Sequence, residues 1–312
     1  MTARAYYREA APHWLKRLVR PLKPRLVRTV VWLRTAQVSE RLKPSFLIIG
    51  VAKGGTTSLF NYLVSHPQIA EPLAKEVNYF NHNWGRPLDW YLAHFPRVSR
   101  VSSGTITGEA SPGYMFNAAI SARVAERLPD AKLVVLLRDP VLRAISHYHH
   151  NVNKNIAGAH GLLETMVAEG GDQWPELTER VMSEIGWRPP PIAPRPGERW
   201  PPLYIREGLY AERLAPWLER FDRNRILFLK SEDLFANPRD VYERTLRFLD
   251  MPPFDLGPMK AHNVGAYNDV EPRVSRYLSE IYAEPNRRLQ ELLGKEFSWD
   301  QHAAERLSRA EG

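Results

Sequence analysis

The chemistry of this chain is densest between Phe46 and Ser58, which reads Phe-Leu-Ile-Ile-Gly-Val-Ala-Lys-Gly-Gly-Thr-Thr-Ser. Lys53 puts a full positive charge into a loop whose glycines, Gly50, Gly54 and Gly55, let the backbone come close to a ligand. Thr56, Thr57 and Ser58 then open the helical apolar pattern of Leu59 to Leu63. A helix start leaves N–H groups unpaired, and its macrodipole favours negative charge there. Loop, lysine and helix start together form an anion site. The spacing is not that of a Walker A loop. Gly50 and Gly55 have the required separation, but Thr56 stands where that motif needs lysine, and the lysine lies inside the loop. An ATPase or GTPase that places Mg²⁺ through this motif is disfavoured. The plain alternative is an ordinary tight turn between strand and helix, with no ligand.

A second set of residues follows the run Lys132 to Leu137. Arg138-Asp139-Pro140 leads into Val141 to Tyr148, with Arg143 and Ser146 at helical spacing. Arg138 presents a planar fork of donors suited to phosphate. Ser146, two helical turns on, adds a hydroxyl, and Pro140 fits a first helical position. The alternative is an ion pair for Arg138, with Ser146 incidental and Arg143 structural. Between the two sets lies Lys75-Glu76-Val77-Asn78-Tyr79-Phe80. A carboxylate such as Glu76 could take the proton of a hydroxyl nucleophile, although a lone Lys-Glu pair is more often a surface charge pair. His147, His149 and His150 point in different directions on one helix and have no carboxylate at ligand spacing, so no metal site is expected.

Lys53-Gly54-Gly55-Thr56-Thr57-Ser58 after a buried strand resembles the phosphosulfate loop of sulfotransferases that use 3'-phosphoadenosine 5'-phosphosulfate (PAPS). The resemblance is to the carbohydrate branch, the heparan-sulfate type enzymes and their bacterial relatives. It implies that Lys53, Gly54, Gly55, Thr56, Thr57 and Ser58 hold the 5'-phosphosulfate, and that Arg138 and Ser146 hold the 3'-phosphate. Glu76 matches the general base of the relatives. Two departures stand out. Ala110, in the strand before Ser111-Pro112-Gly113-Tyr114, occupies a place where several relatives have lysine. Asn263, Val264 and Gly265 stand where a Lys-Gly-Arg loop closes over the phosphates, so the resemblance implies that this loop binds the cofactor through its backbone amides or through Lys260 and His262. The implied reaction moves a sulfuryl group to a hydroxyl or amine of an acceptor, expected to be a carbohydrate or glycolipid, and needs no metal. Two rival readings are a non-catalytic nucleotide or polyanion binder and a kinase-like phosphotransferase.

The elements that must position these residues alternate between buried strands and helices. They predict a three-layer α/β domain with a central, mostly parallel sheet, P-loop-like in plan. This domain is expected over residues 44–300. Residues 1–43 form a basic amphipathic arm, residues 151–202 an irregular Pro/Arg-rich insert, and residues 301–312 a polar tail. The insert suits a lid or an acceptor-binding segment. The aromatic stretch from Trp84 to Phe95 reads as a helix over the site, with core packing the commoner role of such residues.

A net charge of +8 over 312 residues points to an anionic partner. The absence of cysteine excludes disulfides, thiolate metal sites and cysteine nucleophiles. No apolar run is long enough to span a bilayer, and the N-terminus lacks a signal-peptide layout. A cytoplasmic protein is therefore expected. Its arm either touches the inner membrane surface peripherally or packs on the domain. No nucleic-acid partner is expected.

Overall fold

A computed structural model describes residues 25–35, 40–154, 161–184, 203–259, 271–294 and 297–299. Five strands form one sheet: β1 Phe46–Gly50, β2 Ile69–Ala70, β3 Ile106–Ala110, β4 Lys132–Leu137 and β5 Ile226–Lys230. Their order is β2-β3-β1-β4-β5, and every pairing is parallel. Eleven helices accompany them among the described residues: α1 (25–35), α2 Thr56–Leu63, α3 Leu88–Leu92, α4 Ala118–Arg127, α5 Pro140–Asn153, α6 Leu162–Gln173, α7 Pro175–Glu184, α8 Tyr210–Leu218, α9 Ser231–Ala236, α10 Pro238–Phe248 and α11 Pro272–Leu293.

Parallel strands covered on both faces need side chains that are apolar in both directions. β1 meets this requirement, and all five of its residues are buried. Leu47 and Ile49 join Leu133, Val135 and Leu137 of β4 in a core under α4 and α8. Phe46 and Ile48 join Val134 and Leu136 in the opposite core, with α2 and α10. The period-2 alternation thus builds two cores from one strand pair. Because β1 lies between β3 and β4, the segments leaving these three strands share the carboxyl edge of the sheet. That edge is where open α/β sheets take ligands.

The segment expected to be irregular, 151–202, contains α6 and α7. Gly170 and Gly171 read as loop signals, yet both lie inside α6. Gly170 is there because α6 crosses α11 closely, and a Cβ would run into the Tyr277 hydroxyl. These helices pack with α5 and α11 around a third core containing Met166, Val181, Tyr204 and Tyr282. Residues 155–160 and the proline-rich 185–202 lie outside the described residues, as do 1–24, 36–39 and the 301–312 tail. Among the described residues no helix is long and apolar enough to cross a membrane.

Glu169 of α6 is 2% exposed and accepts the backbone N–H groups of Ile205 (2.9 Å) and Arg206 (3.0 Å). Burial raises its pKa from the ordinary 4.5 to about 7. The unfolded chain gives up this proton near 4.5, whereas the folded chain keeps it to about 7. Across that window the unfolded state binds fewer protons, so stability falls as pH rises. At ~1.4 kcal/mol per pH unit the loss is roughly 3 kcal/mol. Glu169→Gln should remove this contribution and flatten urea-denaturation stabilities over that range relative to wild type. An unchanged slope in the variant would assign the pH dependence to other groups.

Candidate active site

The glycine loop leaves β1 and is held from behind. Val51 N–H donates to the Leu136 carbonyl (2.8 Å), and Gly54 N–H donates to the Val51 carbonyl (3.0 Å). The buried Ser231 hydroxyl of α9 donates to the Gly54 carbonyl (2.8 Å). A Cβ on Gly54 would lie 2.9 Å from Val51 Cγ2 and 3.1 Å from the Leu136 carbonyl, so packing itself requires glycine there. Gly55, with φ 87°, is the N-cap of α2, and no side chain caps that helix. A helix start of this kind, with a glycine N-cap and no side-chain cap, is the arrangement that suits an anion. Thr56 (5% exposed) and Ser58 (2%) are buried at this helix start. Thr57 accepts a hydrogen bond from Lys75 Nζ (3.2 Å).

The second set meets the first directly. Arg138 Nη1 donates to the Lys53 carbonyl (3.0 Å), and the guanidinium lies 5.7 Å from the Phe235 ring centroid. The main chain around Arg138 is fixed from two sides. The Tyr210 hydroxyl donates to the Arg138 carbonyl (2.8 Å), and Asp139 N–H donates to Glu232 Oε1 (3.0 Å). Asp139 caps α5 by accepting from Val141 N–H (2.9 Å). Ser146 is buried on that helix, with His150 and Lys154 following at i+4 spacing. Burial, then Arg138 and Lys154, lower the Lys53 pKa. Burial, then Lys53, Lys154 and His147, lower His150 to about 4, so its imidazole is neutral at pH 7. These residues share one cationic field, to which Lys154 adds a charge from beyond the motif that ends at Ser146.

Arg143 belongs to the scaffold. It is fully buried, pairs with Glu207 (3.1 Å) and donates to the Tyr204 carbonyl, which ties residues 203–209 to α5. His147 Nδ1 lies 3.3 Å from the same Glu207 carboxylate. Among the described residues no group of three or more acidic or histidine side chains is placed to hold a metal ion.

Glu76 lies beside the helix start through its neighbour. Lys75 Nζ reaches Thr57 of α2 and lies 3.9 Å from Glu76 Oε1, while Asn78 Nδ2 donates to Glu76 Oε2 (3.4 Å). A buried network fixes the segment carrying Glu76. Glu109 of β3 is 0% exposed and accepts hydroxyl donors from Tyr91, Ser111 and Tyr114, each at 2.8 Å. Two of these hydroxyls accept in turn from the Glu76 segment. Asn78 N–H donates to Ser111 Oγ (3.1 Å), and Tyr79 N–H donates to the Tyr114 hydroxyl (2.8 Å). Burial raises the Glu109 pKa, and the three hydroxyl donors oppose that rise. A charged residue in an otherwise buried strand is the sequence signal that marks this network.

Ala110 is buried against the sheet and brings no cation. Of the aromatic stretch, Tyr91 and Phe95 are core residues. Trp90 lines a cleft of about 890 Å³ between α1 and residues 83–90, whose other wall includes Trp32 and Arg28. Asn263, Val264 and Gly265 lie outside the described residues.

The sulfotransferase-domain family model matches residues 43–262. The chain belongs to the sulfotransferase family. Over 82% of its length it is 28% identical to the membrane-associated sulfotransferase kil1 of Dictyostelium discoideum, covering 66% of that relative. Over the same share it is 29% identical to heparan sulfate glucosamine 3-O-sulfotransferase 3B1 of Mus musculus, covering 65% of that protein. The chain thus spans about two thirds of the length of these relatives. Among solved structures it resembles a sulfotransferase from Alicyclobacillus acidocaldarius, with TM-score 0.62 and 26% identity. That match covers 80% of this sulfotransferase-family chain and 96% of the other.

Proposed function

We propose that this sulfotransferase-family chain moves a sulfuryl group from PAPS to a hydroxyl or amine of a carbohydrate or glycolipid acceptor. The observation that carries the reading is the hydrogen bond from Arg138 to the Lys53 carbonyl. It joins two anion-binding sets side by side, as a nucleotide bearing anions on both its 3' and 5' positions requires. The residues fit such a ligand. The start of α2 lacks a side-chain cap, and the charged groups that perturb Lys53 are cations, Arg138 and Lys154.

When bound, PAPS supplies the activated sulfuryl group. The first-turn amides of α2 and Lys53 would bind the 5' end and stabilise charge developing on its bridging oxygen. Arg138 and Ser146 would select the 3'-phosphate. Glu76 would accept the proton of the acceptor hydroxyl, held in place by the Glu109 network. The heparan-sulfate relatives support a carbohydrate acceptor. The relative named as membrane-associated supports placing the chain at a membrane surface, which we locate on the cytoplasmic side. A pure nucleotide binder would have no use for Glu76 at this position.

The test is calorimetry with 3'-phosphoadenosine 5'-phosphate and with AMP, on wild type and Arg138→Ala. The bisphosphate should bind wild type tightly and AMP weakly. The variant should lose roughly 10- to 100-fold in affinity for the bisphosphate alone, the worth of hydrogen bonds to a charged group. Equal binding of both nucleotides to wild type would end the 3'-phosphate assignment, and the proposed reaction with it.

A further inference from the structure

Outside the two sets of the candidate active site, four other arginines gather around one small cavity. Arg41 forms an antiparallel bridge with Arg97, which sets two like charges opposite each other on paired backbone. Hydrogen bonds from Leu42 N–H to the Pro96 carbonyl and from Val98 N–H to the Glu40 carbonyl hold that pairing (3.0 and 2.7 Å). Arg34, in the last turn of α1, and Arg100, at the end of the 97–100 turn, complete the set. The cavity they line has a volume of about 250 Å³. This is below the roughly 300–1,000 Å³ of sites for whole small-molecule ligands. Glu71 is the carboxylate on its wall, against four guanidinium groups.

Arg41 is 7% exposed. Its Nη1 donates to the Phe95 carbonyl (2.7 Å), and its buried Nε has no hydrogen-bond partner among the described residues. Burial and mutual repulsion hold both Arg34 and Arg41 below the ordinary arginine value. The groups perturbing them are other arginines, with no carboxylate among them. Gathering like charges around a cavity and burying one donor unpaired costs stability that a bound anion would return.

The exposed apolar side chains identify the source of that anion. Of eight large apolar residues exposed among the described ones, Leu26, Trp32, Leu33 and Val98 lie on α1 and the 97–100 turn. Leu33 adjoins Arg34 in sequence, and Val98 adjoins Arg97. An anionic saccharide offers nothing to exposed leucine and valine. A bilayer interface accepts both the apolar side chains and the basic ones.

We infer that Arg34, Arg41, Arg97 and Arg100 bind the phosphate headgroup of an anionic phospholipid and dock this corner of the protein on a membrane surface. This gives the proposed membrane contact its residues and extends it beyond the N-terminal arm. It does not depend on the transfer chemistry.

The test is sedimentation of the full chain with phosphatidylcholine vesicles, with and without phosphatidylglycerol. Wild type should bind only the anionic vesicles, and inorganic phosphate in excess should compete. The surface pair Arg97→Gln/Arg100→Gln should lower partition about 25-fold, at about fivefold per arginine. Leu26→Ser/Val98→Ser should also weaken it. Each variant should bind 3'-phosphoadenosine 5'-phosphate as wild type does, showing that the fold is intact. Arg41→Gln is the more severe variant, and the arginine pair keeps the test decisive if Arg41→Gln fails to fold. Partition of the arginine pair equal to wild type would overturn the inference. So would binding of inorganic phosphate without vesicle binding. Loss of heparin binding in the same pair, with vesicle binding intact, would reassign the cavity to a polysaccharide. A chain that ignored the nucleotide yet bound anionic vesicles would sink the proposed function and leave this inference standing.

Discussion

Glu76→Gln should reduce turnover with an acceptor by about 10²- to 10⁴-fold, the usual contribution of a positioned general base. Nucleotide affinity should stay close to that of wild type. The substitution preserves size, and an amide oxygen can still accept from Asn78 Nδ2, which now donates to Glu76 Oε2. What glutamine cannot do is take a proton. Lys75, which lies 3.9 Å from Glu76 and reaches Thr57 at the start of α2, keeps its second contact in the variant. The measurement is single-turnover transfer paired with calorimetry of the bisphosphate nucleotide. A loss under about tenfold, less than general-base catalysis normally contributes, would remove Glu76 as the base.

Lys53→Ala should lower turnover by about 10²- to 10³-fold, comparable with removing one donor from a site of developing negative charge. Unlike Glu76→Gln, it should also weaken nucleotide binding. It carries a second readout that does not need an acceptor. His150 is held at about 4 by burial and then by Lys53, Lys154 and His147. Removing the Lys53 ammonium relieves one of those repulsions, so the His150 pKa should rise. An NMR titration of the imidazole would report it in the absence of ligand. No movement of His150, with turnover also intact, would show that Lys53 does not face the site.

The glycine loop between β1 and α2 is legible in the amino-acid sequence because its parts are contiguous. A buried strand, glycines at a turn and an uncapped helix start are neighbours along the chain, and local backbone preferences alone assemble them. The same holds for Arg138 and Ser146, since a strand end and a helical repeat fix their separation. The segment 162–184 defeats sequence reading for the converse reason. Gly170 and Gly171 break helices by local preference, but the close crossing of α6 and α11 makes a glycine at position 170 a packing requirement. Arg143 resembles a phosphate ligand by spacing, and its partners Glu207 and the Tyr204 carbonyl come from residues far along the chain.

By itself, then, the sequence determined the strands and the helices that start directly after β1 and β4, because short-range periodicity and turn chemistry govern these. Tertiary structure alone decided the contact between Arg138 and the Lys53 carbonyl, the Glu109 network behind the Glu76 segment, and the gathering of Arg34, Arg41, Arg97 and Arg100. Each of these joins segments with no relation in spacing. Sheet order and core packing bring them together, and a buried charge finds its partners only after the chain has folded around it.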